Sequence, residues 1–204
     1  MKRALILVDL QPDFCPGGAL AVAEGDATLA IANALMPRFD VVVATQDWHP
    51  ANHRSFATQH PGHKPGDVVD LDGLPQVLWP PHCVQDTPGA QIHPQLDHAR
   101  ITHVSRKGTD PTIDSYSGFF DNGHRKATGL AEWLKERGLS DLTVMGLATD
   151  FCVKFTALDA LQLGFSVRLV ADGCRGVNLS HGDSDQAIET MRAAGAQIID
   201  SSRA

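Results

Sequence analysis

Leu142-Thr143-Val144-Met145-Gly146-Leu147-Ala148-Thr149-Asp150-Phe151-Cys152-Val153 is the stretch that decides the fold. Leu142 to Leu147 is near-continuously apolar, the pattern of a strand buried on both faces. Ala148-Thr149-Asp150 reads as a turn. From Phe151 to Leu163 the pattern becomes helical: Val153, Thr156, Ala157, Ala160, Leu161 and Gly164 recur at spacings of three and four, and Gly164 is a natural stop. A further apolar run, Ser166 to Val170, completes a strand–helix–strand unit.

The same rhythm runs along the rest of the chain. Leu5 to Val8, Val41 to Ala44, Ile101 to Val104 and Gln197 to Ile199 read as further strands. Ala27 to Met36, Thr128 to Arg137 and Asp185 to Ala194 read as helices, two of them closed by Gly138 and Gly195. Strands alternating with helices imply right-handed crossovers and a parallel sheet. The expected fold is therefore α/β, a three-layer sandwich around a central, mostly parallel sheet. No repeat, low-complexity tract or linker divides residues 1–204, so one domain is expected. Two excursions break the rhythm, Trp48 to Ile101 and Lys107 to Gly123. Irregular segments of that length inside a compact domain are usually functional.

Composition narrows the class. With 43% hydrophobic and 20% charged residues the 204-residue chain reads as globular. A net charge of −7 without a basic block argues against nucleic acid and anionic membrane as partners. No apolar stretch approaches the ~18 residues of a membrane span. Met1-Lys2-Arg3 followed by Ala4 to Val8 has the outline of a secretion signal, but Asp9 and Asp13 interrupt it too early, so a cytoplasmic protein is expected. Cys15, Cys83, Cys152 and Cys174 form no C-x-x-C pair and read as reduced thiols. The composition suits a homo-oligomer as well as a monomer.

Half of the ten histidines fall between His49 and His82. Asp47 and His49 are two apart, so on extended chain they point the same way. His82 follows Pro80 and Pro81, which restrict its approach. Loops often collect histidines, but a D-x-H pair with a proline-clamped third histidine suits a metal such as zinc, manganese or iron. Cys152 opens a helix after a strand, where free N–H groups and the helix dipole favour thiolate. A buried packing role is the competing reading for any free cysteine. Asp9 and Lys107 each close an apolar strand. Either alone reads as a solvated strand end. With Cys152 they place an acid, a cation and a thiol at the carboxyl ends of strands, the edge on which such sheets bind ligands.

The ordered blocks A-L-I-L-V-D-L-Q-P-D-F-C-P-G-G-A-L-A-V, T-Q-D-W-H-P-A-N-H, W-P-P-H-C-V, R-K-G, Y-S-G-F and G-L-A-T-D-F-C-V resemble the nicotinamidases, within the larger isochorismatase-like cysteine hydrolase family. The blocks span Ala4 to about Gly176. The resemblance implies a metal-dependent amidohydrolase that converts nicotinamide, a linear carboxamide, to nicotinate and ammonia through a cysteine thioester. It implies Asp9, Lys107 and Cys152 as the catalytic triad, and Asp47, His49 and His82 as ligands of one divalent metal (Zn, Mn or Fe). Phe14 and Trp79 become walls of a pyridine pocket with Tyr116 nearby. Backbone near Ala148 and Cys152 becomes the oxyanion site, with the Ala148–Thr149 peptide cis. His53 is left as an optional ligand or a residue behind the ligands, and His60 and His63 as loop residues. The alternatives are another small-amide or ureido hydrolase of the same family, and a non-enzymatic metal-binding module. A closed structural zinc site usually has four ligands. Three clear ones favour an open position.

Overall fold

A computed structural model describes residues 2–204; the start of the signal-like Met1-Lys2-Arg3 segment lies outside them. Six strands form one parallel sheet: β1 (Arg3–Val8), β2 (Val41–Asp47), β5 (His103–Lys107), β6 (Asp141–Leu147), β7 (Ser166–Arg175) and β8 (Gln197–Ile199), in the order β5-β2-β1-β6-β7-β8. The helices are α1 (Ala27–Leu35), α2 (Leu130–Glu136), α3 (Lys154–Gln162) and α4 (Asp183–Ala193). From β1 the chain first moves toward β5 and later returns past β1 toward β8. Right-handed crossovers then place α1 on one face and α2, α3 and α4 on the other, giving the three-layer α/β sandwich expected. The reversal lies between β1 and β6, and ligands bind beyond the strand ends at such a point.

The centre of the sheet explains why its strands lack polar–apolar alternation. Ala4 to Val8 have no exposed surface at all, because both faces are covered. β6 approaches β1 closely at Gly146, whose φ is 130°; a Cβ there would collide with the Val8 carbonyl. β7 runs five residues further than the expected Ser166–Val170, through an irregularity opposite Val144–Gly146. β2 extends to Asp47 and β5 to Lys107, carrying both residues to the strand ends.

The excursion from Trp48 to Ile101 is not wholly irregular. It contains an antiparallel hairpin, β3 (Val68–Leu71) and β4 (Leu74–Val77). Asp72 and Gly73 form its two-residue turn with φ of 56° and 85°. Asp-Gly between apolar residues is a known signal for such turns, because both central residues need positive φ. Pro75 within β4 obscures it.

Candidate active site

The carboxyl ends of β1, β2, β5 and β6 deliver Asp9, Asp47, Lys107 and the turn leading to Cys152 to one buried point. Asp47 and Lys107 are direct neighbours across the β2–β5 pairing. Lys107 Nζ donates to Asp47 Oδ1 at 2.6 Å and to the Ser115 carbonyl at 2.8 Å, and lies 2.9 Å from Asp9 Oδ2 and 3.4 Å from Cys152 Sγ. Asp9 is at φ 48°, turning off β1, and its Oδ1 accepts the Thr45 hydroxyl at 2.6 Å. Ligand atoms of Asp9, Asp47 and Cys152 lie within 4.8 Å of one another. The three residues expected to form a triad are thus together, despite sequence separations that no local pattern spans.

Burial and mutual attraction set the charges of these groups. Burial raises the Asp9 carboxyl above its ordinary range, a shift that Lys107 opposes and Asp47 reinforces. At Asp47 burial acts in the same upward direction, but the Lys107 ammonium opposes it and the carboxylate lies well below the ordinary range. Lys107, although buried, is kept protonated by Asp47 and Asp9. Lys107 thus pulls both carboxyls toward the ionised form, with Asp47 ending below its ordinary range and Asp9 above it. The local setting of Cys152 differs from the helix start expected. It lies in a π-helical turn, Thr149–Val153, ahead of α3, and not in the first turn of a regular helix. Burial pushes its thiol well up, with Asp9 and Asp47 adding to the shift and Lys107 opposing it. The resting group is a thiol and needs a base. The non-proline cis bond is Leu147–Ala148, one peptide before the expected position.

Beside this cluster stand Asp47, His49 and His82, all buried, with ligand atoms within 4.8 Å of one another. Asp47 Oδ2 is 3.4 Å from His49 Nε2 and 3.8 Å from His82 Nε2. His82 is brought in by a segment running alongside His49: His49 N donates to the Cys83 carbonyl (2.9 Å) and Gln85 N to the His49 carbonyl (2.8 Å). His49 Nδ1 donates to the Gly108 carbonyl and His82 Nδ1 to the Pro80 carbonyl, both at 2.8 Å. Each bond turns the Nε2 lone pair toward the shared point, the arrangement that backs histidines ligating a metal. The buried Nε2 of His49 has no hydrogen-bond partner among the described residues. An unpartnered buried nitrogen, a second lone pair and an ionised carboxylate together fit a divalent cation.

His53 differs. Its Nδ1 accepts the Ser55 N–H at 3.2 Å and meets the Ser55 hydroxyl at 2.7 Å, leaving the proton on Nε2. Burial lowers its pKa to about 4, so the ring is neutral. Its buried Nε2 has no hydrogen-bond partner among the described residues, and ligand atoms of His53, His49 and Asp114 lie within 4.8 Å of one another, so His53 keeps both readings, optional ligand or residue behind the ligands. His60 and His63 lie in the following loop, bonded to the Arg54 carbonyl and to Asp67. Cys174 is a packed thiol donating to the Val170 carbonyl, and Cys15 and Cys83 are buried.

Cys152 opens into a small pocket with Phe14, Trp79, Tyr116 and Ala148 in its wall, as expected, and also Leu20, Asp114, Phe151 and Val177, which the sequence reading missed. Phe151 packs edge-on against Trp79 at 4.9 Å and against Tyr116 at 5.3 Å. Gln76 of the hairpin donates to the Tyr116 hydroxyl and to Asp114 Oδ2, both at 3.1 Å. Asp150, also missed, accepts the N–H groups of Val177 (2.9 Å) and Asn178 (2.7 Å), tying the nucleophile turn to the opposite wall. Phe151 sits next to Cys152 in sequence and could have been flagged. Leu20, Asp114 and Val177 carry no local signal.

The isochorismatase domain model matches residues 3–203. The nicotinamidase of Escherichia coli (strain K12) is 58% identical over 200 residues, covering 96% of this chain and 93% of that protein. The chain belongs to the isochorismatase family, among the nicotinamidases. Two solved members of that family share its fold. An Acinetobacter baumanii nicotinamidase pyrazinamidease superposes with a TM-score of 0.96 at 46% identity, over 99% of this chain and 97% of that one. A Pyrococcus horikoshii pyrazinamidase in complex with zinc superposes at 0.80 with 37% identity, over 98% and 99%.

Proposed function

We propose that this protein is a metal-dependent cysteine amidohydrolase that converts nicotinamide to nicotinate and ammonia. The observation that carries the reading is a buried thiol, with an acid and a cation against it, at the mouth of an aromatic pocket that abuts three convergent metal-type ligands. The names of its family relatives add support.

Asp47, His49 and His82 would hold the divalent cation, and the zinc complex of the archaeal pyrazinamidase makes zinc one candidate beside manganese and iron. A cation held there would supply a Lewis acid to a basic ring nitrogen. Phe14, Trp79 and Tyr116, with Phe151, flank the ring. The half-buried aliphatic residues Leu20 and Val177 complete the wall of that pocket.

Asp9 takes the Cys152 proton as sulfur attacks the carboxamide carbon; its upward-shifted carboxyl suits a group that must both accept and return a proton. Backbone N–H groups near Ala148 and Cys152 receive the oxyanion. Asp9 then passes the proton to the departing nitrogen, ammonia leaves, and a nicotinoyl thioester remains. Asp9 deprotonates the water that attacks the thioester, releasing nicotinate and regenerating the thiol. Lys107 holds Asp9 and Asp47 in place throughout and offsets their mutual repulsion. Among the described residues no helix is long and apolar enough to cross a membrane, and a cytoplasmic location is the one we favour.

The test is ammonia release from nicotinamide by the purified protein, before and after chelation and after readdition of zinc, manganese or iron singly. Release that falls on chelation and returns with one of these metals is expected. An enzyme that hydrolyses nicotinamide equally well in chelator would overturn the metal part of the reading, and one that releases no ammonia under any condition would overturn the substrate.

A further inference from the structure

Gln11 lies two residues beyond Asp9, is wholly buried, and takes part in none of the steps above. Its surroundings give it a different task. The β1–β2 pairing ends at Leu7 opposite Ala44, because β1 turns away at Asp9, where φ is 48° and Gln11 N donates back to the Asp9 carbonyl at 2.8 Å. β2 continues three residues further to Asp47. There it still pairs with β5 through Lys107 but has lost its backbone neighbour on the β1 side. A buried residue left in that state would have an unmet N–H and an unmet C=O, which is costly.

The Gln11 side chain fills both vacancies. Its Oε1 accepts the Asp47 N–H at 2.8 Å and its Nε2 donates to the Asp47 carbonyl at 2.9 Å. The second Nε2 proton goes to the Ala90 carbonyl at 2.8 Å, which also accepts Gln46 Nε2 at 2.8 Å. Oxygen faces an N–H and nitrogen faces two carbonyls, so only one orientation of the amide satisfies the network.

We propose that Gln11 is a positioning residue for the metal centre. Its amide stands in for the missing strand and fixes the two peptide planes on either side of the Asp47 Cα. With the backbone held on both sides, the Asp47 carboxylate divides its oxygens: Oδ1 to Lys107 at 2.6 Å, and Oδ2 toward the point it shares with His49 and His82. Without Gln11 the last peptide of β2 is tethered on one side only, and the direction of the carboxylate is no longer determined. The inference rests on the reading of Asp47 as a metal ligand.

Its test is zinc affinity of the folded, full-length protein, measured by competition with a chromogenic chelator, alongside thermal unfolding. Gln11→Met nearly preserves shape while removing both donors and the acceptor. We expect zinc to bind about 10- to 100-fold more weakly, the usual effect of removing a group that orients a metal ligand. Gln46→Met removes the parallel bond to Ala90 and the one its Oε1 accepts from Arg106 Nε at 3.2 Å, neither of which reaches Asp47, and should bind zinc as the wild type does. If Gln11→Met does not fold, Gln11→Glu replaces it: this variant keeps the acceptor for the Asp47 N–H but sets an oxygen against two carbonyls, and the same loss is expected. Asp47→Asn identifies which idea fails. If it binds zinc normally, the metal assignment is wrong and this inference falls with it. If it binds weakly while a folded Gln11 variant binds like the wild type, even with a lowered melting temperature, Gln11 is merely structural and the proposal is overturned.

Discussion

Lys107→Met is the most informative single change, because methionine roughly matches the lysine stem and removes only the charge. Lys107 is completely enclosed at its ammonium, with Asp47 Oδ1 at 2.6 Å and Asp9 Oδ2 at 2.9 Å. Removing one partner from a buried ionic cluster costs about 3–5 kcal/mol, since the charges left behind have neither water nor counter-ion. Here two carboxylates are stranded, so the upper part of that range is expected near neutral pH. For a chain of this length each kcal/mol lowers the melting temperature by about 2–4 °C. The loss must depend on pH. In the wild type Asp47 is held below its ordinary range, and the stability it contributes is present above the unfolded pKa and lost as pH falls through the folded one. Without the cation, burial raises both carboxyls, so the folded variant binds protons that the unfolded chain has released. Its stability then falls as pH rises, by up to ~1.4 kcal/mol per pH unit for each such carboxyl. The destabilisation relative to wild type should therefore be large at pH 7.5 and much smaller at pH 5. Urea unfolding of both proteins at the two pH values, in chelator so that no added cation substitutes for the lysine, reads this directly. A loss below about 1 kcal/mol at pH 7.5, or an equal loss at both pH values, would refute the reasoning.

Three further outcomes follow from the geometry. Cys152→Ala should abolish ammonia release while leaving the far-ultraviolet spectrum unchanged, and retained turnover would remove Cys152 from the mechanism. Asp9→Asn keeps the shape but cannot accept the thiol proton, so quenching the enzyme with substrate and weighing it by mass spectrometry should show no nicotinoyl thioester; accumulation at the wild-type rate would assign the base elsewhere. Gly108→Ala places a Cβ against the His49 ring at a φ of 63°. A positive φ costs an alanine about 1–2 kcal/mol, and the displaced ring should weaken metal binding by at least about tenfold, measurable as metal content after dialysis.

The architecture was legible because buried parallel strands and their crossover helices carry periodic signals within single segments. Leu142 to Leu147 is apolar throughout, Val153 to Leu161 follows a helical period, and both are where the structure has them, the helix preceded by a π-type turn. The D-x-H pair was legible for the same reason: two residues on extended chain share a direction whatever surrounds them. Pro80-Pro81 ahead of His82 and the apolar strands that end at Asp9 and Lys107 marked those residues as candidates, and the motif blocks joined them into one site by resemblance, since nothing local joins residues so far apart. What only the tertiary structure decided is the state of each group. A helix start argues for a thiolate at Cys152, but burial beside two carboxylates argues for a thiol and prevails, because desolvation depends on the whole surrounding fold. Likewise Lys107 near an acid did not reveal which acid; strand register places it against Asp47 as well as Asp9. Asp114, Val177 and Gln11 carry no signal of their own, because their contacts come from strands, turns and loops brought together only by folding.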